Sequence, residues 1–379
     1  MTHNAGSGSA HRSLPEFPWD RLVPYKQRAE ARGLIDLSIG TPVDSTPQVV
    51  QDALRAAADA PGYPTVWGTA ALRESAANWM RRRLGVDASA DAVLPTIGSK
   101  ELVAMLPFQL GLSARDVVAI PAVAYPTYDV GARLAGATVV LADGVEELES
   151  ARVRVEATGR HLSLVWLNSP ANPSGAVLSA DELAEIVAWG RAHDTLIVND
   201  ECYIELGWDI TPVSILHPSV CGTGADAHRG LLAVHSLSKR SNLAGYRAGF
   251  IAGDPVVVKQ LLEIRKHSGS MVPTPMQAAM VAAYNDDAHV EAQRAVYESR
   301  RSTLRAALEA AGFRIDASHA GLYLWATSGE DSWETLSWLA DRGILAAPGA
   351  FYGVAGEQHV RMALTGSDAD IAEAANRLR

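Results

Sequence analysis

From about residue 48 to residue 276 the sequence alternates short β-branched runs with stretches of helical periodicity, and this alternation leaves few folds open. The runs cover residues 117–120, 138–141, 162–167, 196–199 and 231–234. Apolar residues recur at helical spacing over 48–60, 69–84, 100–110, 127–134 and 180–193; in the second of these Ala71, Leu72, Ala76 and Trp79 share one face. Strands separated by helices predict a mostly parallel sheet with helices on both faces, the α/β class. After about Gln277 the texture changes. A long Ala/Glu/Arg-rich helical pattern runs to Ala311, followed by strand-like pieces at 314–316, 322–326 and 360–363 around a Trp/Leu helix at 332–341. The expected organisation is a large α/β domain over 48–276 and a smaller α+β domain over 277–379. Residues 1–47 are expected to precede the large domain as an arm.

With 379 residues the chain has room for about two domains. Its 33 basic against 43 acidic residues give a net charge of −10, which argues against binding nucleic acid through phosphate neutralisation. Two cysteines, Cys202 and Cys221, make no disulfide framework, and no CxxC pair offers a zinc site, so a reducing cytoplasm without a metal is expected. No apolar stretch reaches the ~18 residues of a membrane span. The first 14 residues lack the apolar core of a secretory signal. Residues 1–13, rich in Gly, Ser and His, are expected to be mobile. Residues 14–32 mix Pro15, Pro18 and Pro24 with Phe17 and Trp19, and are expected to lie as an arm on another surface.

Open α/β sheets bind ligands at the carboxyl ends of their strands, so the turns after the predicted strands carry the functional information. In Ser236–Leu237–Ser238–Lys239 two hydroxyls flank a lysine, with Arg247 eight residues on. Hydroxyls and a guanidinium suit a phosphate, and a lysine held in a semi-buried turn is a candidate Schiff-base former. Asp200 ends the run 196–199. A carboxylate at a buried strand end needs a cation, and the protonated pyridine nitrogen of a cofactor is one. Asn168–Ser169–Pro170–Ala171–Asn172–Pro173 makes a rigid turn after 162–167. Gly98–Ser99–Lys100–Glu101 opens a helix, where backbone N–H groups can receive an anion. Taken singly, each has a plain structural account: a surface turn, a helix cap, a tight turn, an ordinary helix start.

Together, in order and spacing, the four segments resemble the fold-type I pyridoxal-phosphate-dependent aminotransferases, from Leu37–Pro42 to Arg361. The resemblance implies a fold-type I architecture: a large domain with a seven-stranded-type, mostly parallel sheet, and a small domain built from both termini. It implies pyridoxal 5′-phosphate attached to Lys239, which then moves the substrate proton. Asp200 would keep the pyridine nitrogen protonated, Tyr203 and Asn172 would reach the 3′-oxygen, and Tyr125 would stack on the ring. Ser99 and Lys100 (by backbone N–H), Ser236, Ser238 and Arg247 would hold the phosphate, joined by Tyr63 from the neighbouring subunit of a homodimer with shared sites. Gly40 and Arg361 would receive the substrate α-carboxylate. The turn would carry a cis Asn172–Pro173 bond.

The strings at 14–20, 38–44 and 236–247 are similar to those of actinobacterial succinyldiaminopimelate transaminases, which serve lysine biosynthesis with the glutamate/2-oxoglutarate pair. Partners would be amino and 2-oxo acids, not nucleic acid or membrane. The alternatives are another aminotransferase (aspartate, LL-diaminopimelate or aromatic/kynurenine type) or a carbon–sulfur β-lyase. A transcription regulator on the same fold would need a DNA-binding module ahead of residue 37. Because a succinylated diamino acid carries carboxylates far from the reacting carbon, a further cation is expected in the outer site, with Lys26, Arg265 and Lys266 as candidates.

Overall fold

The structure, a computed structural model, describes residues 14–379; the mobility expected of residues 1–13 lies outside the described residues. Seven strands form the main sheet: β1 (Val93–Ile97), β2 (Asp116–Ile120), β3 (Thr138–Leu141), β4 (His161–Asn168), β5 (Leu196–Asp200), β6 (Leu231–Ser236) and β7 (Ala248–Gly253), in the spatial order β1-β7-β6-β5-β4-β2-β3. All pairings are parallel except those of β7, which runs antiparallel to both β1 and β6.

Alternation along the central strands explains the two covered faces. Leu231 and Ala233 of β6 and Ile197 of β5 enter one apolar core, whereas Leu232, Val234 and Val198 enter the other. Local chemistry sets the helix ends. Thr69 caps helix Ala70–Leu84 by accepting from the Leu72 N–H, and Gly85, at φ 66°, closes it in the left-handed conformation. Ser179 and Glu182 form a reciprocal capping box on helix Ala180–Ala192.

The small domain is a four-stranded antiparallel sheet of β8 (Arg314–Asp316), β9 (Tyr323–Thr327), β10 (Ala347–Pro348) and β11 (Val360–Ala363), in the order β10-β11-β9-β8. The amino-terminal segment belongs to it: Ile35–Asp36 pairs in parallel with Ile344–Leu345, and Leu22, Ile35 and Leu37 enter its core. The proline-rich arm lies on this domain, with Trp19 5.4 Å from Phe351 and Tyr25 5.7 Å from Trp333 between ring centroids.

Two expectations need correction. The long helix expected over 277–311 is two helices, Thr274–Asn285 and Ala288–Ala310, broken at Asp286–Asp287. The first gives Ala279, Met280 and Ala283 to the large core; the second gives Tyr297, Leu304 and Leu308 to the small one. Strands β1 and β7 were not anticipated at all. Among the described residues no helix is long and apolar enough to cross a membrane.

Candidate active site

The carboxyl ends of β1, β2, β4, β5 and β6 meet the small domain around a cavity of about 550 Å³. Because β7 is antiparallel, the residue just before it also emerges at this edge: Ala248 pairs with Ile97, and Gly249 with Ser236. That residue is Arg247. The turn after β6 places Ser236, Ser238 and Lys239 on the cavity, and the helix after β1 places Ser99 and Lys100 there. Tyr125, Asn172, Asp200 and Tyr203 line it from the turns after β2, β4 and β5, while Gly40 and Arg361 line it from the small domain. Tyr63 does not reach this cavity; it is 99% exposed. Asn172–Pro173 is cis, as expected, and so is Ser169–Pro170, which was not anticipated.

One end of the cavity is built for an anion. Helix Gly98–Gln109 begins without a side-chain cap, so its first N–H groups have no partner from Ile97. Gly98 (φ 70°) is tolerated there only as glycine, since a Cβ would stand 2.4 Å from Arg247 Nη2. Arg247 itself adopts φ 52° and donates to the Ala244 carbonyl at 2.7 Å, which aims its guanidinium at the helix start. Ser236 Oγ donates to Ser238 Oγ at 2.9 Å beside them.

At the centre, Asp200 is buried. Its Oδ2 accepts from Tyr128 Oη at 3.0 Å and its Oδ1 from the Cys202 N–H at 3.1 Å. Burial pushes its carboxyl above the usual range despite these bonds. Such a group keeps its charge only beside a cation. Burial, then the nearby Asp200 charge, pushes Tyr128 well above its ordinary value, so its phenol stays a donor. The Cys202 thiol is likewise pushed up by burial and by Asp200, which makes it inert as a nucleophile.

Lys239 Nζ donates to the Gly40 carbonyl. Burial lowers its ammonium pKa, with Arg361 and Arg247 adding to the shift, so the neutral, nucleophilic amine is within easier reach. Arg361 is buried yet charged. It donates to Asn172 Oδ1 at 2.8 Å and the Ser38 carbonyl at 2.6 Å, and lies 3.9 Å over the Tyr323 ring, while its Nε has no partner. Tyr203 and Tyr323 share a hydrogen bond of 3.2 Å between hydroxyls. Burial pushes Tyr203 well above its ordinary value. In Tyr323 burial is outweighed by Arg361 and Lys239, which lower it.

A buried lysine of lowered pKa, a buried carboxylate, an uncapped helix start beside an arginine, and a second, buried arginine with an unpaired Nε thus converge on one cavity. The family model for aminotransferase class I and II matches residues 32–378. The chain belongs to the class I and II aminotransferases. It is 60% identical to the 4-dedimethylamino-4-oxo-anhydrotetracycline transaminase of Streptomyces rimosus, over 97% of this chain and 99% of that protein. It is 54% identical to a probable aminotransferase of Mycobacterium tuberculosis, over 98% of this chain and 87% of that one. A probable N-succinyldiaminopimelate aminotransferase from Thermus thermophilus superposes with a TM-score of 0.84 at 28% identity, over 96% and 99% of the two chains.

Class I and II aminotransferases use pyridoxal phosphate, and the residues of this aminotransferase fit that group. The uncapped helix start beside Arg247 suits its phosphate, and Asp200 suits its ring nitrogen. The three candidates for an outer cation, Lys26, Arg265 and Lys266, do not line the cavity of their own chain. Arg265 is fully buried, with both Glu101 oxygens at 3.1 Å; Lys266 pairs with Glu263 at 2.7 Å on the surface; Lys26 is exposed on the arm helix. A helix periodicity shows that a charge is present, not which neighbour neutralises it. Tyr128, Tyr323 and Cys202 were missed, since each looks like an ordinary core residue until the fold brings it to Asp200 or Arg361.

Proposed function

We propose that this aminotransferase interconverts N-succinyl-LL-2,6-diaminopimelate and its 2-oxo counterpart with the glutamate/2-oxoglutarate pair, in lysine (diaminopimelate) biosynthesis. The observation that carries the amino-acid half of this reading is Arg361, buried, stacked on Tyr323 and holding a bare Nε at the same cavity as Lys239. A guanidinium so placed is a fork for an α-carboxylate beside a reactive amine. Support for the succinylated substrate comes from the strings at 14–20, 38–44 and 236–247 and from the name of the Thermus relative.

In this reading Lys239 is the covalent attachment point, Asp200 faces the ring nitrogen, and Tyr125 covers the ring. Tyr203 and Asn172 meet its 3′-oxygen. Ser99 and Lys100 through their N–H groups, with Ser236, Ser238 and Arg247, bind the phosphate. Pyridoxal phosphate supplies an electron sink that makes the substrate Cα–H acidic. Lys239 Nζ, whose ammonium pKa burial lowers, takes that proton. Gly40 and Arg361 fix the α-carboxylate. The fully exposed Tyr63 favours a homodimer in which it completes the partner's phosphate site. Two free cysteines suit the cytoplasm.

One observation favours a second reading. The cavity lining includes Phe17, Trp19, Ile39 and Val103, apolar surface that would also accept a fused-ring ketone such as the 4-oxo-anhydrotetracycline named for the Streptomyces relative. Glutamate-dependent turnover should be compared across N-succinyl-diaminopimelate, N-acetylornithine, aspartate, phenylalanine and a fused-ring ketone. Preference for the succinylated compound supports the first reading, and preference for the ketone replaces it with the second. Release of pyruvate and ammonia would mark a β-lyase. Borohydride reduction and peptide mapping should locate the cofactor on Lys239; label on another lysine refutes the site.

A further inference from the structure

Gly40 reaches the cavity from a segment that the small domain grips on its upstream side. The Leu37 carbonyl accepts from the Ala363 N–H at 2.8 Å, the Ser38 carbonyl from Arg361 at 2.6 Å and the Ile39 carbonyl from Thr365 Oγ1 at 3.1 Å. Downstream, the tie is a side chain, Asp44. Its Oδ1 accepts from Arg300 Nη2 at 2.6 Å, and its Oδ2 accepts from Arg300 Nη1 and from Gln293 Nε2, both at 2.8 Å.

Gln293 links this carboxylate to the turn that bears the lysine. A carboxylate only accepts, so the amide nitrogen faces Asp44, and the amide oxygen accepts from Asn242 Nδ2 at 2.7 Å. Asn242 lies three residues after Lys239, at φ 54°, a left-handed conformation that asparagine tolerates. Its Oδ1 accepts from Tyr297 Oη at 3.1 Å. Gln293, Tyr297 and Arg300 fall at i, i+4 and i+7 of helix Ala288–Ala310, on one face. Arg300, which is buried, also donates from Nε to Asp368 Oδ1 at 2.6 Å, at the start of the last helix. One helix face therefore clamps both the lysine turn and the Gly40 segment through a directed chain of hydrogen bonds. On the cavity side, the bond from Lys239 to the Gly40 carbonyl closes the ring. A misplacement of about 1 Å between reacting groups can cost on the order of 10²-fold in rate, so this clamp bears on the reaction although it lies outside the cavity.

We infer that Asp44, Gln293 and Arg300 are positioning residues, which act through Asn242 and the Gly40 segment to fix the α-carboxylate seat relative to Lys239. The inference rests on the proposed reading that Gly40 and Arg361 take the α-carboxylate. Because the chain touches no part of the substrate beyond that seat, its effect is the same for every amino-acid side chain.

The test exchanges donor and acceptor. Gln293→Glu removes the donor and sets two carboxylates against each other, and Asp44→Asn removes the charge that Arg300 holds. The double variant Asp44→Asn/Gln293→Glu again sets an amide donor against a carboxylate, which still accepts from Asn242. Single-turnover reaction of the pyridoxal-phosphate-loaded enzymes with L-glutamate and with L-norvaline gives a half-saturation for each, and hydrogen exchange of the 38–46 peptide is followed in parallel. Each single variant should raise half-saturation about tenfold for both amino acids alike and speed exchange at 38–46, with cofactor retention at the wild-type level. The double variant should return both readouts to within about threefold of the wild type. Unchanged half-saturation in the single variants overturns the inference, as does a double variant no better than the worse single one. An effect confined to loss of cofactor also overturns it, since the chain would then support the lysine turn alone. Where Gln293→Glu does not fold, Asp44→Asn and Arg300→Gln decide by the same two readouts. A half-saturation unmoved by Arg361→Lys would instead remove the α-carboxylate reading, and the inference with it.

Discussion

Behind the candidate site, on the other side of the Asp200 strand end, Glu201 and His235 face each other in the core, and Glu201→Gln tests how they are charged. Glu201 Oε1 accepts from Asn199 Nδ2 at 3.0 Å and from the Ile215 N–H at 2.8 Å, while its Oε2 lies 3.6 Å from His235 Nε2 with no hydrogen bond. Both His235 nitrogens are also unpartnered. Burial pushes Glu201 up to about 8 and, with Arg240 adding to it, pushes His235 down to about 3. The pair is therefore neutral near pH 7. Glutamine keeps both Oε1 bonds and offers Nε2–H toward His235, so the variant should fold.

The pH dependence follows by linkage. Between the ordinary Glu value of 4.5 and about 8, folded Glu201 holds a proton that the unfolded chain has released, so its contribution to stability is lost as pH rises. Folded His235 lacks a proton that the unfolded chain binds between about 3 and 6.5, so its contribution grows with pH over that window. The two oppose each other from 4.5 to 6.5, and Glu201 alone acts from 6.5 to 8. At about 1.36 kcal/mol per pKa unit, the Glu201 shift amounts to on the order of 5 kcal/mol above pH 8. With an unfolding entropy of about 2.1 cal/mol/K per residue, that corresponds to roughly 6 °C in Tm for a chain of this length. Thermal unfolding of the loaded enzyme at fixed salt should show Glu201→Gln gaining on the wild type from about pH 4.5 upward and levelling off near pH 8. A Tm difference that stays flat from about pH 5 to 9 refutes the raised carboxyl. One that moves against the variant shows that Glu201 and His235 are an ion pair.

Three further outcomes follow from the site. Asp200→Asn keeps an acceptor for Tyr128 but removes the charge proposed to face the ring nitrogen. It should cost about 3 kcal/mol, some 10²-fold, in kcat with little change in KM, and near wild-type turnover would show that another group holds the nitrogen. Arg361→Lys loses the planar fork and the stack on Tyr323; kcat/KM for amino and oxo acids should fall about 10- to 10²-fold, mainly through KM, whereas an unchanged KM would place the α-carboxylate elsewhere. Gly98→Ala puts a methyl against Arg247 in a left-handed backbone, so pyridoxal phosphate should dissociate at least about tenfold more readily in equilibrium dialysis; unaltered retention would remove Arg247 from the phosphate site.

Much of this arrangement was legible because function and topology coincide in the turns. Strands β2 to β6 were readable from β-branched runs, and each of β2, β4, β5 and β6 is followed by chemistry-bearing residues, so Asp200, Asn172 and Lys239 could be picked out in chain order. Strands β1 and β7 were not, for a physical reason. β1 carries Pro95, and β7 reads AGFIAG because it lies too close to its neighbours for bulk: a Cβ on Gly249 would stand 2.7 Å from the His235 carbonyl. Close packing erased the signal that periodicity relies on. The Tyr203–Tyr323 bond and the Glu201–His235 contact were invisible for a related reason, since each joins segments whose proximity only the fold creates.

The unreadable strand is also the one on which the site depends. Were β7 parallel to its neighbours, its amino end would open at the far edge of the sheet, and Arg247 would lie a full strand length, roughly 17–20 Å, from Ser236 and Gly98. Reversing one strand between β1 and β6 instead sets Ala248 beside Ile97 and Gly249 beside Ser236. The arginine just before them then meets the uncapped helix start and the two serines together. The short Leu237–Arg240 helix and the turn after it carry the chain back into this reversed strand, and Lys239 sits inside that connection. The spacing of Lys239 and Arg247 is thus the length of chain needed to turn from β6 into β7. A two-residue deletion within 241–246 should abolish cofactor retention even if the sheet still forms, and retention of pyridoxal phosphate by such a variant would show that the antiparallel strand is not what delivers Arg247.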